Sequence, residues 1–345
     1  MNKFKINLQL FADANVQTTL LNATGNDLSP EMKTFYSKDL IEMLGANLVH
    51  LQFGDPVSLP KHGGKTIEWR KWTKFAKALE PLTEGVTPNG TPVDVGYITA
   101  TINQYGAYTT VSDLLEMTAI DNTIVEITAK HSENARLTID TIARNALLAS
   151  DSGATILWAD KLEGDERVET AGRANLDMTC TLTPDMVARA AATLKKANAP
   201  KIDGSYVAIV HPSVAYDLMR CEGWIDVNKY SNATAIFNGE IGKLYGVRFV
   251  ESTEAKIDKK DGVFDGNAIY TTIFLGKGAY KVVKLDADNI EVIVKGRGSA
   301  GAADPLNQRS TIGWKAMGFT AKVVIPEYIV AVESASHFST TDAAN

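Results

Sequence analysis

Two glycine-rich stretches, five histidines and a few carboxylates are the places where this chain could do chemistry. Gly63-Gly64-Lys65-Thr66 has the letters that end a phosphate-binding loop. That loop needs a glycine five positions before Gly64, where Leu59 stands, and a helix after the lysine whose first amides face the phosphate. Ile67-Glu68-Trp69-Arg70-Lys71-Trp72 follows instead and reads as a strand. Gly296-x-Gly298-x-x-Gly301 spells a dinucleotide fingerprint after the strand Ile290 to Lys295. Asp304-Pro305 stands where the helix should run, and too little chain remains for a βαβ unit, so it reads as a loop between strands.

His50, His62, His131, His211 and His337 show no pair at helical ligand spacing and no cysteine in metal-binding register. His131 is expected as a packed or hydrogen-bonded member of a helix face, and His211 in a strand-to-helix turn. Asp217, Asp258 and Asp261 are the carboxylates available for acid–base work, which needs two convergent groups in a pocket; no spacing marks such a pair. A Gly-x-Ser-x-Gly elbow is absent. The acidic stretches Asp258 to Asp265 and Asp286 to Glu291 lack the calcium-loop pattern and read as solvated loops. The expectation is a protein that is not an enzyme, with no cofactor and no metal.

The elements that would position any site are plainer. Ser29-Pro30-Glu31-Met32 opens a helix expected to reach about Val49. Thr123-Ile124-Val125-Glu126 is a capping box. After it Ile124, Ile127, His131, Ala135, Ile139, Ile142 and Ala146, preceded by Ile120, trace one helical face up to Leu148. A helix of that length runs about 40 Å, the width of a domain. Thr183-Pro184-Asp185 starts another helix, and Lys195-Lys196-Ala197-Asn198-Ala199-Pro200 ends it. Tyr206 to Val210 reads as a buried strand and Val214 to Arg220 as a helix; Gly239 to Tyr245 reads as a short helix or turn. Strands are expected at Val247 to Val250, Ala268 to Leu275, Tyr280 to Leu285, Ile290 to Lys295, Thr311 to Ile325 and Tyr328 to Glu333. Strands do not alternate regularly with helices, so the class is α+β with antiparallel pairing.

Between Lys61 and Ser150 the chain makes one long excursion. Ile67 to Trp72 runs out and Tyr97 to Asn103 runs back. Between them Pro81-Leu82-Thr83-Glu84-Gly85-Val86-Thr87-Pro88-Asn89-Gly90-Thr91-Pro92 cannot hold a helix. Two strands alone are marginal in water. This hairpin must lie on something, most simply a neighbouring copy of the chain. Its outgoing strand carries Lys61, Lys65, Arg70, Lys71, Lys74 and Lys77 interleaved with Trp69, Trp72 and Phe75. Such a run reads as a solvated face or, given its aromatics and arginine, as a contact surface; nucleic-acid binding is the weaker option.

The 345 residues allow about two domains, and the formal net charge is -6, from 35 basic and 41 acidic groups. A nucleic-acid reader usually carries a basic excess, which is absent here. Cys180 and Cys221 show no paired spacing, as in a reducing compartment. No apolar run approaches the roughly 20 residues that span a bilayer. Lys5, Asn7 and Gln9 interrupt what a signal peptide would keep apolar. Phe4, Ile6, Leu8 and Leu10 alternate with polar residues, as in a strand with one sticky face. Two readings of this segment stay open: a disordered terminus, or an arm that adds to another subunit or to an assembly partner.

The order of these parts resembles the major capsid protein of tailed bacteriophages, the Hong Kong phage-type fold. Within it the chain is most similar to the coat-protein family typified by coliphage N-four. The residues that carry the likeness are Asn7-Leu8-Gln9-Leu10-Phe11-Ala12, Val210-His211-Pro212 with Asp217-Leu218, and Gly242-x-x-x-Gly246-Val247-x-Phe249-Val250-Glu251-Ser252. Thr311-Ile312-Gly313-Trp314-Lys315 and Val323-Val324-Ile325-Pro326-Glu327-Tyr328 add to it. The resemblance implies an N-terminal arm over 1–28, a helix region over 29–60 and a long hairpin, or E-loop, over 61–112. It further implies a peripheral domain with a spine helix over 113–180 and an axial domain over 181–285. Return strands to the peripheral domain and a C-terminal tail would fill 286–345. It implies a shell subunit forming pentamers and hexamers around double-stranded DNA. Scaffolding, portal and decoration proteins are the further partners, the DNA contact is weak and internal, and no membrane is involved. The place is the virion, assembled in the host cytoplasm. Subunit contacts are then expected at Trp69, Arg70, Trp72, Lys74 and Phe75, and at Phe4, Ile6, Leu8 and Leu10. Competing classes are a nanocompartment shell of the same fold around protein cargo, an enzyme using the carboxylates above, and another virion part such as a tail-tube subunit. A domain-length helix speaks against the last.

Overall fold

The computed structural model describes residues 16–17 and 49–345, apart from 61, 83, 86, 88–89, 119–122, 165, 222–223, 225–241, 260–265 and 286–289. The expected helix from Ser29 lies outside the described residues except for its end, Val49–Gln52 (α1). So do Phe4, Ile6, Leu8 and Leu10.

Six strands form the first sheet. They are β1 (Val16–Gln17), β2 (Asp55–Leu59), β5 (Asn103–Ser112), β14 (Tyr280–Leu285), β15 (Ile290–Lys295) and β16 (Arg309–Val323). The order is β1-β5-β16-β14-β2, with β15 also on β16. β16 is the axis: β5 runs along one side of it, while on the other it pairs with β15 through Thr311–Ala316 and with β14 through Phe319–Val323. The change of partner falls where the register shifts between Ala316 and Phe319, and Gly318 sits there at φ 74°. A bulge with glycine in the left-handed region bends the strand without strain, which lets one strand serve two partners in succession. Pro56, a residue type that usually interrupts strands, lies in β2. That strand is at the sheet edge, where a missing amide costs no ladder bond.

The capping box opens a 26-residue helix, Thr123–Leu148, preceded by the short Asp113–Thr118; these are α3 and α2. Ala135, Ile139, Ala143 and Leu147 of α3 are buried in one cluster with Ile312, Trp314 and Ala316 of β16, and the expected Ile124, Ile127, Ile142 and Ala146 pack against it half-buried. Trp314 Nε1 donates to Asn134 Oδ1 at 3.0 Å, so the indole keeps a partner when it is covered.

A seven-stranded sheet forms the second half. It orders β10 (Lys243–Leu244), β11 (Val247–Glu251), β9 (Tyr206–Val210), β13 (Ile269–Leu275), β17 (Ile329–Ser334) and β6 (Thr155–Trp158), with β12 (Ile257–Asp258) on β13. All five residues of β9 and all seven of β13 are buried, which explains their unbroken apolar runs. On one face lie α4 (Pro184–Lys196) and α5 (Pro212–Arg220). Thr183 caps α4 through Met186 N, and His211 caps α5, Ser213 N donating to its Nδ1 at 3.2 Å. Ile209, Ile273, Leu275 and Ile329 of this sheet join the cluster beneath α3, so the two sheets share a core.

The expectation of antiparallel pairing is corrected: both sheets are mixed. β9 pairs with β11 in parallel, as do β17 with β6, β14 with β2, and β5 with β1. Segments far apart in sequence run side by side in the same sense, a relation that local alternation does not encode. Gly239 to Tyr245 is described only from Gly242, where Lys243–Leu244 turns back into β11 through Tyr245 and Gly246.

One polar cluster is sealed inside. His50 of α1 is fully buried; its backbone amide donates to Asp140 Oδ1 at 2.9 Å and its Nδ1 lies 2.6 Å from Asp140 Oδ2. The Tyr280 hydroxyl donates to the His50 carbonyl, and burial pushes that phenol far above its usual range, keeping it a neutral donor. One turn along α3, Arg144 is also fully buried and donates to the Glu254 carbonyl at 2.8 Å.

Candidate subunit interface

The long excursion is an antiparallel pair, β3 (Thr66–Trp72) and β4 (Val95–Thr101), registered Trp69 with Ile98 and Arg70 with Tyr97. Among the described residues it pairs with no third strand. Thr73 N still donates to Asp94 O at 3.1 Å, and beyond it the described residues of 74–93 hold no regular structure. The returning limb continues into β5, so of the segment 61–112 the stretch 103–112 is stitched to β16.

Strand alternation splits the site residues in two. Ile67 and Trp69 face inward and pack on Leu59, Ile102, Val283 and Leu285, with Lys281 Nζ 5.2 Å from the Trp69 ring centroid. Arg70 and Trp72 face outward with Tyr97. Trp72 is 63% exposed, Phe75 61%, Leu79 83% and Leu82 77%, and Lys74 is exposed between them. Lys71 reaches Glu327 at 4.0 Å, an exposed pair of little energetic weight. Trp69→Ala should therefore lower the stability of the lone subunit by about 1–2 kcal/mol, whereas Trp72→Ala should change it by less than ~0.5 kcal/mol. Urea titrations of the two variants check the split; equal losses would place both rings in the core.

The remaining candidates have structural partners. The Asp217 carboxylate accepts from Ser336 Oγ and His337 N, both at 2.8 Å, and so fastens the C-terminal tail. Asp258 pairs with Arg173 at 2.5 Å and Lys256 at 3.3 Å, and these cations hold its carboxyl below the usual range against the opposing effect of burial. Asp261 lies outside the described residues. His131 is buried on α3 with Nε2 3.0 Å from Thr109 Oγ1, and burial lowers its pKa. Lys65 leads into strand β3, and Gly296 to Gly301 follows β15 as a turn that enters the short 3-10 helix Gly301–Ala303. Among the described residues no group of three or more His, Cys, Asp or Glu could hold a metal ion, and no helix is long and apolar enough to cross a membrane.

The hairpin is anchored at its base by Ile67 and Trp69 and exposes Trp72, Phe75, Leu79 and Leu82 beyond it, an apolar surface suited to contact with another subunit. The phage capsid protein family matches residues 96–332, more than half of the chain, and the chain belongs to that family. It is a major capsid protein with the Hong Kong phage-type α+β fold: a structural, self-assembling subunit of a head shell and a component of the virion. No curated protein matches it in sequence. Its fold is similar to the capsid of cyanophage P-SCSP1u, with TM-score 0.60 and 15% identity over 82% of this chain and 87% of that one. The cyanophage Pam1 capsid matches with TM-score 0.57 and 14% identity over 99% and 100%. The holo-SrpI encapsulin complex from Synechococcus elongatus matches with TM-score 0.52 and 10% identity over 94% and 96%.

Proposed function

We propose that copies of this chain form the pentamers and hexamers of an icosahedral head around double-stranded DNA. The copies hold one another through Trp72, Lys74, Phe75 and Arg70 of the hairpin, with Trp69 anchoring its base, and through Phe4, Ile6, Leu8 and Leu10 of the arm. The observation that carries this is the row of exposed apolar residues Trp72, Phe75, Leu79 and Leu82. In this reading 1–28 is the arm, 29–60 the helix region and 61–112 the E-loop. Residues 113–180 form the peripheral domain and 181–285 the axial domain, and 286–345 returns to the former. β14 already lies in the first sheet and β17 in the second, so the chain crosses between the two bodies more than once. The subunit works without a catalytic step. It assembles in the host cytoplasm with scaffolding, portal and decoration proteins, and a net charge of -6 leaves only scattered, weak contacts to the packaged DNA.

The test is sedimentation and negative-stain microscopy of the purified chain, with analysis of particle contents. Closed shells, with DNA in those recovered from infected cells, are expected. A strict monomer at high concentration with assembly partners present would overturn the proposal. Particles filled with protein cargo and lacking DNA would replace it with a nanocompartment. Salt-sensitive nanomolar binding of DNA by free subunits would contradict the weak internal contact.

A further inference from the structure

The short antiparallel pair β7 (Lys161–Glu163) and β8 (Glu166–Val168) carries a local conflict. Its register sets Glu163 directly opposite Glu166, and Lys161 opposite Val168. Both carboxylates are exposed, and strand alternation puts them on one face. Like charges directly opposed destabilise a strand pair, whereas opposite charges support it. Lys161, on the same face, is shared: its Nζ lies 3.8 Å from Glu163 and 3.3 Å from Asp177. Arg167 turns to the other face, where it donates to the Asp160 carbonyl at 3.2 Å. A cation supplied from outside would relieve the opposed glutamates.

Apolar surface borders these charges. Val168 is exposed on the same face, and Leu162 is exposed in β7. Met178, also exposed, stands between Asp177 and Thr179, which both bond to β7. An apolar patch rimmed by charge is the anatomy of a protein contact.

The long hairpin of the same chain supplies the complement. Over 65–77 it holds Lys65, Arg70, Lys71, Lys74 and Lys77 against the single carboxylate of Glu68, with Trp72 and Phe75 exposed among them. Its base is pinned through Ile67 and Trp69 to Leu59 of β2 and to Val283 and Leu285 of β14, in the first sheet. The β7–β8 pair instead follows β6, the last strand in the order of the second sheet. Two different, complementary surfaces on one chain make a head-to-tail contact, in which each copy gives to the next and receives from the one before. Such contacts close into rings, and pentamers and hexamers are rings.

We infer that the β7–β8 face of one copy receives the hairpin of the next. Glu163 and Glu166 meet Lys74 and Lys77, beside apolar contact of Trp72 and Phe75 with Leu162, Val168 and Met178. The inference rests on the proposed shell and names the surface that the hairpin grips.

Charge reversal and rescue in the full chain test it. Lys74→Glu with Lys77→Glu should lower particle yield roughly tenfold or more, and so should Glu163→Lys with Glu166→Lys, because like charges then meet across the contact. Unfolding midpoints of the free subunits should stay close to the parent's, since all these side chains are exposed. All four changes in one chain restore the attraction with its sign inverted, and yield should return to within about threefold of the parent. A reversed β7–β8 pair that assembles as well as the parent would overturn the inference. So would a combined chain no better than the reversed hairpin alone; in that case the hairpin remains the grip and shell formation stands. A parent chain that makes no particles would end the proposed function, and this inference with it. Should the reversed β7–β8 pair fail to fold, carbodiimide coupling of parent particles decides. An amide from Lys74 or Lys77 to Glu163 or Glu166 of another copy is expected, and coupling of those lysines only to other carboxylates would overturn the assignment.

Discussion

Replacing Trp72 and Phe75 together by alanine should abolish particle formation and leave the secondary structure of the free subunit unchanged. Both rings are more than half exposed, so truncating them removes little from the subunit's own core. At an interface the same rings become desolvated anchors, and such positions typically contribute 2 kcal/mol or more each. A loss of about 4 kcal/mol per contact raises the concentration needed for association roughly a thousandfold. In a closed shell every copy both gives and receives the contact, so the loss repeats around the particle. Sedimentation velocity and circular dichroism measured side by side check this. Normal particle yield, or unfolding that accompanies the loss of particles, would show that the hairpin is not the grip.

Asp140→Ala should cost the subunit about 3 kcal/mol, the largest stability change expected of a single side chain here. The carboxylate receives both the backbone amide and the ring nitrogen of His50, and it ties α1 to the middle of α3. Removing it leaves two buried polar groups unpaired, and the empty space lies next to Tyr280, whose hydroxyl depends on the His50 carbonyl staying in place. Asp140→Asn keeps one acceptor and should cost less. A urea midpoint for the alanine variant within the equivalent of ~1 kcal/mol of the parent would mean that water replaces the carboxylate.

What the sequence discloses here follows the range of the interactions. The long helix is legible to the residue, because a capping box and a 3.6-residue period are local signals. The hairpin limbs are legible too, from two-residue alternation and the turn residues between them. The parallel neighbours of β9, β14 and β17 are not, since nothing within a strand names a partner distant in sequence. β2 is hidden by Pro56, which reads as a terminator unless the strand is known to be an edge. The short strands β6, β7 (Lys161–Glu163) and β8 (Glu166–Val168) lack an apolar period. His50 and Asp140 are 90 positions apart, and neither carries a local mark of burial. The composition of Trp69, Arg70, Trp72, Lys74 and Phe75 marks this strand as the candidate contact surface. Only the pleat separates Trp69, which faces its own sheet, from Trp72, which faces away.

The cluster that joins Ile209, Ile273, Leu275 and Ile329 of one sheet to Leu147, Ala279 and Tyr280 under the other bears on how a shell of this protein changes shape. Close-packed interiors resist compression and transmit displacement. The two halves of the subunit are thus welded into one stiff tile. The hairpin, whose described anchorage is Ile67 and Trp69 at its base and the exposed Lys71–Glu327 pair, is the compliant part. Any change in the curvature of the shell is then accommodated at the joints between tiles.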